Sequence, residues 1–471
     1  MRKIIITAVV ILAAAALWYT LTSVTTPSAK ELAFRDAVNT PPSDYKGPVF
    51  KLSADYPTEN PGTCPQSECP WLYIDIDFTS GVAVDWEQGQ WNEYIMAIMS
   101  VVTRGQDQNL SNESGFKTNI NGETVWYHVP WMSYDPTAGR EFAHGTTNER
   151  TAHLSDFIGS PMPNAAPLTS MSASCQAQFP HGFESWAVGV YNKWGAYAIG
   201  QAIPSDGKPR LVDLNGQMVP AGMPFPEGTM VTKFLTTNAI PECVPYLENS
   251  SVWLVDRHSV GEDKAYQCSR SVQETRLTQV DVAVVDKRSP TGWVYGTFGY
   301  SAFSDGQTVL ARLVPLGLQW GSDPTTFPAV TQAASAPVTE SVLNLEVGIY
   351  EHWGCEDRLA GPVDNPLSSC VSCHSSSFAA ANGAISEMGN NVPPAFGFKT
   401  ICDAGGSPDN KAYFSNYSFP EAYPDPKYAE AVPLDSSLQM AVAFTQYATF
   451  ANNGTPTACT DPKPILIGTE L

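Results

Sequence analysis

The fold class of this chain is decided by residues 293–300, which read WVYGTFGY. This stretch is short and rich in aromatic residues, and turn-forming residues flank it, which is typical of a β-strand. Similar segments, separated by Gly, Pro, Asn or Asp, lie at 125–129, 186–191, 196–199, 231–235, 252–255 and 282–285. Together they predict a β-rich α+β protein whose body resembles an antiparallel β-sandwich or jelly roll.

The composition agrees with a globular, turn-rich chain. Of 471 residues, 43% are hydrophobic and 11% aromatic, while 38 prolines and 35 glycines supply many turns. The 26 Lys and Arg residues against 47 Asp and Glu give a net charge of -21. Because this charge repels phosphates and anionic lipid headgroups, the composition argues against nucleic-acid binding.

Three other segments show a clear periodicity. Apolar and polar residues alternate over 72–78, which predicts a strand, and apolar residues recur at helical spacing over 91–102, which predicts an amphipathic helix. A closing helix is predicted near 438–447, with Asp435 or Ser436 as its cap. The Ala- and Ser-rich residues 332–339 are the best candidate for a linker.

The N-terminus has the layout of an export signal. Arg2 and Lys3 precede an apolar run over 4–21 and a polar stretch over 22–29. Residues 1–29 are therefore predicted to be a signal peptide or a retained membrane anchor. Either outcome places the body in the periplasm or another extracytoplasmic compartment, where it could remain anchored to the inner membrane.

One motif carries the chemistry, and it reads Cys370-Val371-Ser372-Cys373-His374. In the C-x-x-C-H pattern two thiols form thioethers with haem vinyl groups, and the histidine is the proximal iron ligand. The motif predicts one covalently attached haem c. A thioredoxin-like dithiol or a zinc site is the alternative, but neither a βαβ context nor a second ligand pair accompanies the motif.

Eight of the ten cysteines lie outside the motif, and this even number permits up to four disulfides in an oxidising compartment. A local bridge is predicted between Cys64 and Cys69, with unpaired thiols as the alternative. The linker candidate over 332–339 divides the chain into a β-rich domain over 30–335 and a haem c-binding segment over 336–471. That segment is predicted to be rich in loops and helices, including an Ala-rich helical stretch after His374.

The sixth iron ligand decides whether the site carries electrons or does chemistry. Met388 is the first candidate, because a thioether 14 residues after His374 suits electron transfer. Met440, His352 and the histidines of the β-rich body are other candidates, and an open position is a further possibility. Each methionine is equally compatible with core packing.

Other clusters admit two interpretations. A charged cluster, which could line a pocket beside haem or form an ion-paired loop, consists of Arg140, Glu141, His144, Glu149 and Arg150. His128 could be a ligand or a buried neutral histidine. Five tryptophans, which could bind sugars but are better explained as core, are Trp186, Trp194, Trp253, Trp293 and Trp320.

Several segments resemble uncharacterised bacterial cytochrome c family proteins. The matching stretches lie within residues 120 to 450 and are WYHVPW at 126–131, GREF at 139–142, HG at 144–145, ER at 149–150, WAVG at 186–189, FPEGT at 225–229, TGWVYGTF at 291–298, WGSDP at 320–324 and GPVDNP at 361–366. The resemblance implies an exported haem-binding protein, and it carries over only Cys370, Cys373 and His374 as functional positions.

The sequence therefore predicts an exported monohaem electron carrier. Because its net charge is -21, we expect its redox partner to present a basic face. Two alternatives remain: a haem enzyme with an open distal site that activates peroxide or a similar oxidant, and a ligand-binding redox sensor. Phosphate-binding loops, nucleophile elbows and H-E-x-x-H helices do not occur in the sequence, which argues against classical hydrolases and nucleotide-dependent enzymes.

Overall fold

The computed structural model describes residues 27–35, 44–46, 53–79, 86–87, 89–111, 115–132, 142–143, 146–152, 172–179, 183–210, 224–260, 266–324, 338–347, 354–362, 364, 368–380, 413–416 and 431–454. Of residues 142–143, 146–152, 256–260, 266–271, 380, 431 and 453 only the backbone is described.

Most of the described strands belong to one nine-stranded antiparallel sheet. Its members in chain order are β3 (Phe142–Ala143), β4 (Thr146–Ala152), β5 (Phe183–Tyr191), β6 (Met230–Thr237), β7 (Val252–Val260), β8 (Tyr266–Val285), β9 (Trp293–Tyr300), β10 (Leu313–Gln319) and β11 (Ser341–Leu343). The strand order is β11-β10-β9-β8-β6-β5-β4-β3, and β7 pairs with the long strand β8. Two small two-stranded sheets pair β1 (Asn119–Ile120) with β2 (Glu123–Thr124), and β12 (Phe378–Ala380) with β13 (Ala431–Pro433).

Helices pack on both faces of this sheet. The α-helices are α1 (Ala29–Ala33), α2 (Trp91–Val102), α3 (Ala173–Gln178), α4 (Lys193–Ala202), α5 (Cys370–Ser375) and α6 (Leu438–Asn453). Short 3-10 helices lie at Pro70–Tyr73, Pro245–Leu247, Leu310–Arg312 and Cys355–Asp357. The prediction of a β-rich α+β fold with an antiparallel body is confirmed.

Two hydrophobic cores lie on opposite faces of the sheet, because successive strand side chains point to opposite sides. Val282, Val284 and Val294 belong to the first core, which also contains the apolar face of α2. Ala283 and Tyr295 belong to the second core, which contains Val371 of α5 and the apolar residues of α6. The motif helix and the closing helix therefore share one face of the sheet.

Three segments predicted to be strands have another structure. Residues 196–199 lie inside α4, because the Asn192 side chain accepts from Gly195 N at 3.2 Å and caps a helix there. Residues 125–129 contribute only an isolated bridge at Tyr127. The predicted strand over 72–78 begins inside the 3-10 helix Pro70–Tyr73, and the Arg288 guanidinium binds the carbonyl oxygens of residues 71 and 74.

The helix over 91–102 is confirmed as α2, and the closing helix is confirmed as α6. Its cap is Ser437, however, because Asp435 and Ser436 have positive φ angles of 45° and 63° and form the turn before the helix. The Ala-rich stretch after His374 was predicted to be helical, but Phe378–Ala380 is a strand that pairs with β13. The backbone of Phe378–Ala380 pairs with residues that lie more than fifty positions away in the sequence.

Beyond the predicted boundary at residue 335, the sheet continues into β11, which pairs with β10. The linker over 332–339 lies mostly outside the described residues, and the domain boundary stays a prediction. Within the part of the chain that the structure describes, no helix is long and apolar enough to span a bilayer. The predicted leader over 1–29 overlaps this part only at residues 27–29.

Candidate functional site

The C-x-x-C-H motif forms the short helix α5, and Ser369 is its N-cap. The Ser369 hydroxyl accepts a hydrogen bond from Ser372 N at 3.3 Å, so the helix begins at the first cysteine of the motif. Residues three apart are neighbours on a helix surface, and Cys370 and Cys373 therefore lie on one side of α5. Both side chains are half-buried, and neither cysteine is in a disulfide.

Two side-chain contacts fix α5 to the second face of the sheet. Val371 N donates to Oε1 of Gln319, the last residue of β10, at 3.0 Å. The hydroxyl oxygens of Ser372 and Ser322 are 3.0 Å apart, and both residues are fully buried. The end of β10 therefore sets the position of the motif.

The imidazole of His374 is held by two residues that lie far from it in sequence. Its Nδ1 lies 2.9 Å from the carbonyl oxygen of Ser436, so Nδ1 carries the proton and donates it. The Tyr295 ring packs against the imidazole with the ring centroids 4.8 Å apart. This arrangement leaves Nε2 as the atom with a lone pair, as a metal-ligating histidine requires.

The charge state of His374 suits the same role. Burial is the main cause that lowers the pKa of His374; the nearby Lys233 lowers it further, while the Ser436 carbonyl and Asp364 raise it. The imidazole is therefore neutral at pH 7. A neutral imidazole is the form that coordinates iron.

Cys370 differs from the reactive cysteine of a dithiol oxidoreductase. Burial raises the pKa of Cys370 well above its usual value, and the carboxyl groups of Asp364 and Asp281 raise it further. A dithiol oxidoreductase needs a cysteine whose pKa is lowered, because the thiolate is the nucleophile. The surroundings of Cys370 argue against the thioredoxin-like alternative.

Near Cys370, the side chains of Gln279, Asp281 and Asp364 form a hydrogen-bonded cluster. The Gln279 amide nitrogen donates to both Asp281 oxygens at 2.7 and 2.9 Å and to Asp364 Oδ2 at 3.1 Å. Burial raises the pKa of Asp281, and Asp364 raises it further, while Lys233 opposes the shift. Both carboxyl groups disfavour the thiolate form of Cys370.

The residues present fit a haem c. Attachment requires two thiols on one side of a short helix and a neutral imidazole whose second nitrogen is anchored, and α5 supplies all of them. The zinc alternative gains no support, since the described residues hold no group of three or more His, Cys, Asp or Glu side chains that could bind a metal ion.

Several predicted site residues lie outside the described part of the chain. They are Met388, His352, Arg140, Glu141 and His144, together with the side chains of Glu149 and Arg150. Met388 as the sixth ligand, and the charged cluster as a pocket lining, stay predictions.

Met440 and His128 are described. Met440 is fully buried in the second core within α6, which agrees with its interpretation as core packing. His128 is also buried, and burial lowers its pKa to about 4, so that it is neutral at pH 7. The five tryptophans weighed as a sugar platform are all at most 3% exposed, which confirms their role in the core.

The predicted bridge between Cys64 and Cys69 is confirmed. A second disulfide joins Cys175 to Cys243 across 68 positions, and Cys355 is also disulfide-bonded. Because both motif cysteines are free, the partner of Cys355 also lies outside the motif, and at least six of those eight cysteines are in disulfides.

Sequence reasoning did not connect Tyr295, Gln319 or Ser436 with the motif. Tyr295 lies in the strand that decided the fold class, and Ser436 was weighed only as a helix cap. No spacing pattern links residues on different strands, so the sequence held no signal for these contacts. Comparison with protein-family models, curated proteins and solved structures finds no match to this chain.

Proposed function

We propose that this chain is an exported monohaem c-type cytochrome that transfers electrons. Haem is attached to Cys370 and Cys373, with His374 as the proximal iron ligand. The single observation that carries the proposal is the hydrogen bond between His374 Nδ1 and the Ser436 carbonyl, which directs Nε2 away as an iron ligand.

The residues around the motif each have a role in this function. The bound haem supplies a one-electron couple at its iron. Ser436 fixes the tautomer of His374 and raises the basicity of its Nε2, and the Tyr295 ring restricts rotation of the imidazole. The apolar second core packs beside the motif helix and would lower the polarity around a bound haem.

Export and partner choice follow from independent features. The Cys64–Cys69 and Cys175–Cys243 disulfides and the disulfide at Cys355 support a periplasmic or extracytoplasmic location. The N-terminal basic and apolar segment supports the same location. The net charge of -21 favours a redox partner with a basic face, whose association would weaken as the salt concentration rises.

The decisive experiment is expression with a c-type maturation system, followed by a pyridine haemochrome spectrum and intact-protein mass measurement. The wild type should carry one covalent haem, and Cys370→Ala with Cys373→Ala should carry none. The matched control, Cys64→Ala with Cys69→Ala, removes two other neighbouring cysteines and should retain the haem. Wild-type protein without added haem mass would refute the proposal.

The sixth ligand separates the carrier from its alternatives. Met388 ligation predicts a low-spin iron with a methionine-to-iron charge-transfer band that disappears in Met388→Ala, whereas Met440→Leu keeps the band. A high-spin ferric iron that binds cyanide in the wild type would instead favour a haem enzyme with an open distal position.

A further inference from the structure

Three polar residues form a row across adjacent strands on the sheet face that carries α5. Tyr295 of β9 is paired with Gln319 of β10, and Gln319 is paired with Ser341 of β11. Residues directly opposite each other on neighbouring strands project to the same face, about 5 Å apart at their Cβ atoms. The three side chains therefore stand side by side.

All three side chains are buried, and each leaves one polar atom unsatisfied. Tyr295, Gln319 and Ser341 are 4%, 0% and 2% exposed. Tyr295 Oη, Gln319 Nε2 and Ser341 Oγ have no hydrogen-bond partner among the described residues. A buried donor without a partner costs about 1 to 3 kcal/mol, so three in one row indicate a ligand that accepts from them.

The row lies directly beneath the motif. Gln319 Oε1 already accepts from Val371 N at 3.0 Å, which fixes the amide orientation and leaves Nε2 as the atom without a partner. The Tyr295 ring packs on the His374 imidazole at 4.8 Å. Tyr295 and Gln319 thus belong to the surroundings of the predicted iron ligand.

We propose that Tyr295 and Gln319 form a two-donor site for a carboxylate of the bound haem, with Ser341 extending the site. This inference rests on the proposed function. An amide NH₂ and a phenol both donate, and two adjacent donors select an acceptor with several lone pairs. The two propionate carboxylates are the strong hydrogen-bond acceptors of haem, and hydrogen bonds to a charged group are the stronger kind.

The Asp435 carboxylate lies near the Tyr295 phenol and already accepts two hydrogen bonds. Asp435 Oδ1 accepts from Trp293 Nε1 at 3.0 Å, and its Oδ2 accepts from Phe225 N. The Tyr295 hydroxyl makes no hydrogen bond to Asp435, and the Ser436 side chain, which lies near enough to influence the phenol, is also beyond hydrogen-bond distance. The donors of the row remain available for an external carboxylate.

Two variants remove the donors and keep the packing. Tyr295→Phe deletes the hydroxyl but retains the ring against His374. Gln319→Glu retains an oxygen that accepts from Val371 N, and it replaces the Nε2 donor with a second acceptor that repels a carboxylate. The matched control is Tyr191→Phe, which removes a buried hydroxyl of the same core that is already paired with Ser437 Oγ at 2.6 Å.

The readouts are the propionate bending bands in resonance Raman spectra of the holoprotein and the pH dependence of its reduction potential. Tyr295→Phe and Gln319→Glu should shift the propionate bands. They should also raise the propionate pKa seen in the potential by about one unit, the equivalent of one lost charged hydrogen bond. Tyr191→Phe should leave both readouts at the wild-type values.

The outcomes separate this inference from the proposed function. Covalent haem with propionate bands and pH dependence unchanged in both variants would overturn the carboxylate site, since the donors would then bind water or another part of the chain. Wild-type protein without covalent haem would overturn both. Equal shifts in Tyr191→Phe would show a general packing effect and would also overturn the assignment.

Discussion

The Nδ1 atom of His374 and the carbonyl oxygen of Ser436 are 2.9 Å apart, although the residues are separated by 62 positions. The carbonyl is aimed by a turn in which Asp435 and Ser436 both have positive φ angles, 45° and 63°. Such backbone is uncommon for residues other than glycine. The turn between β13 and α6 therefore sets the orientation of the predicted iron ligand.

Substitution of Ser436 tests this relationship. Proline requires a φ near -65°, so Ser436→Pro cannot keep the turn and should displace the carbonyl from His374. The imidazole then becomes less basic, and the reduction potential of the holoprotein should rise. Ser436→Gly accepts the positive φ and serves as the control with a near wild-type potential. Equal potentials in the two variants, measured by spectroelectrochemistry, would contradict the role of the turn.

Arg358 should be essential for stability near the motif. Its fully buried guanidinium donates to the carbonyl oxygens of Ser322, at 2.8 Å, and Cys355, at 3.1 Å, and it pairs with Glu356. Arg358→Met removes the guanidinium donors from the Ser322 carbonyl and the Glu356 carboxylate, and we expect a loss of about 3 to 5 kcal/mol in unfolding free energy. Urea unfolding measures this loss. In Arg104→Met, an exposed control, the change should stay within about 0.5 kcal/mol.

The two defined disulfides should differ in their contribution to stability. Cys175–Cys243 closes a loop across 68 positions, whereas Cys64–Cys69 closes one across 5. Loop-closure entropy predicts losses of about 4 and about 2 kcal/mol for the corresponding double alanine variants. Urea unfolding of both variants under oxidising conditions gives the ranking. A larger loss for the short loop would show that native contacts, and not loop length, dominate.

The pH dependence of stability should contain a contribution from His128. Burial lowers its folded pKa to about 4, below the usual 6.5, so the folded state prefers the neutral form. This contribution is fully present above pH 6.5 and is lost as the pH falls toward 4. His128→Asn should therefore reduce the loss of unfolding free energy between pH 7 and 4 by about 3 kcal/mol. Parallel wild-type and variant curves would contradict this assignment.

The local parts of the fold were predictable because their signals lie within a few neighbouring residues. The strand over 293–300 and the helix over 91–102 have the predicted bounds, since an aromatic strand composition and a helical apolar period are local properties. The predictions of secondary structure were wrong where a residue outside the segment determines its conformation. Residues 378–380 form a strand because residues 431–433 pair with them, and residues 196–199 join a helix because Asn192 caps it.

The sequence by itself determined the antiparallel, β-rich character of the body, the local Cys64–Cys69 bridge and the spacing of Cys370, Cys373 and His374 on which the haem proposal depends. Only the tertiary structure decided what surrounds the motif. Ser436, Tyr295 and Gln319 reach α5 from the end of the chain and from two strands, through strand register and a turn with positive φ. Register pairs residues regardless of their separation along the chain, and a periodicity within one segment cannot encode such a pairing.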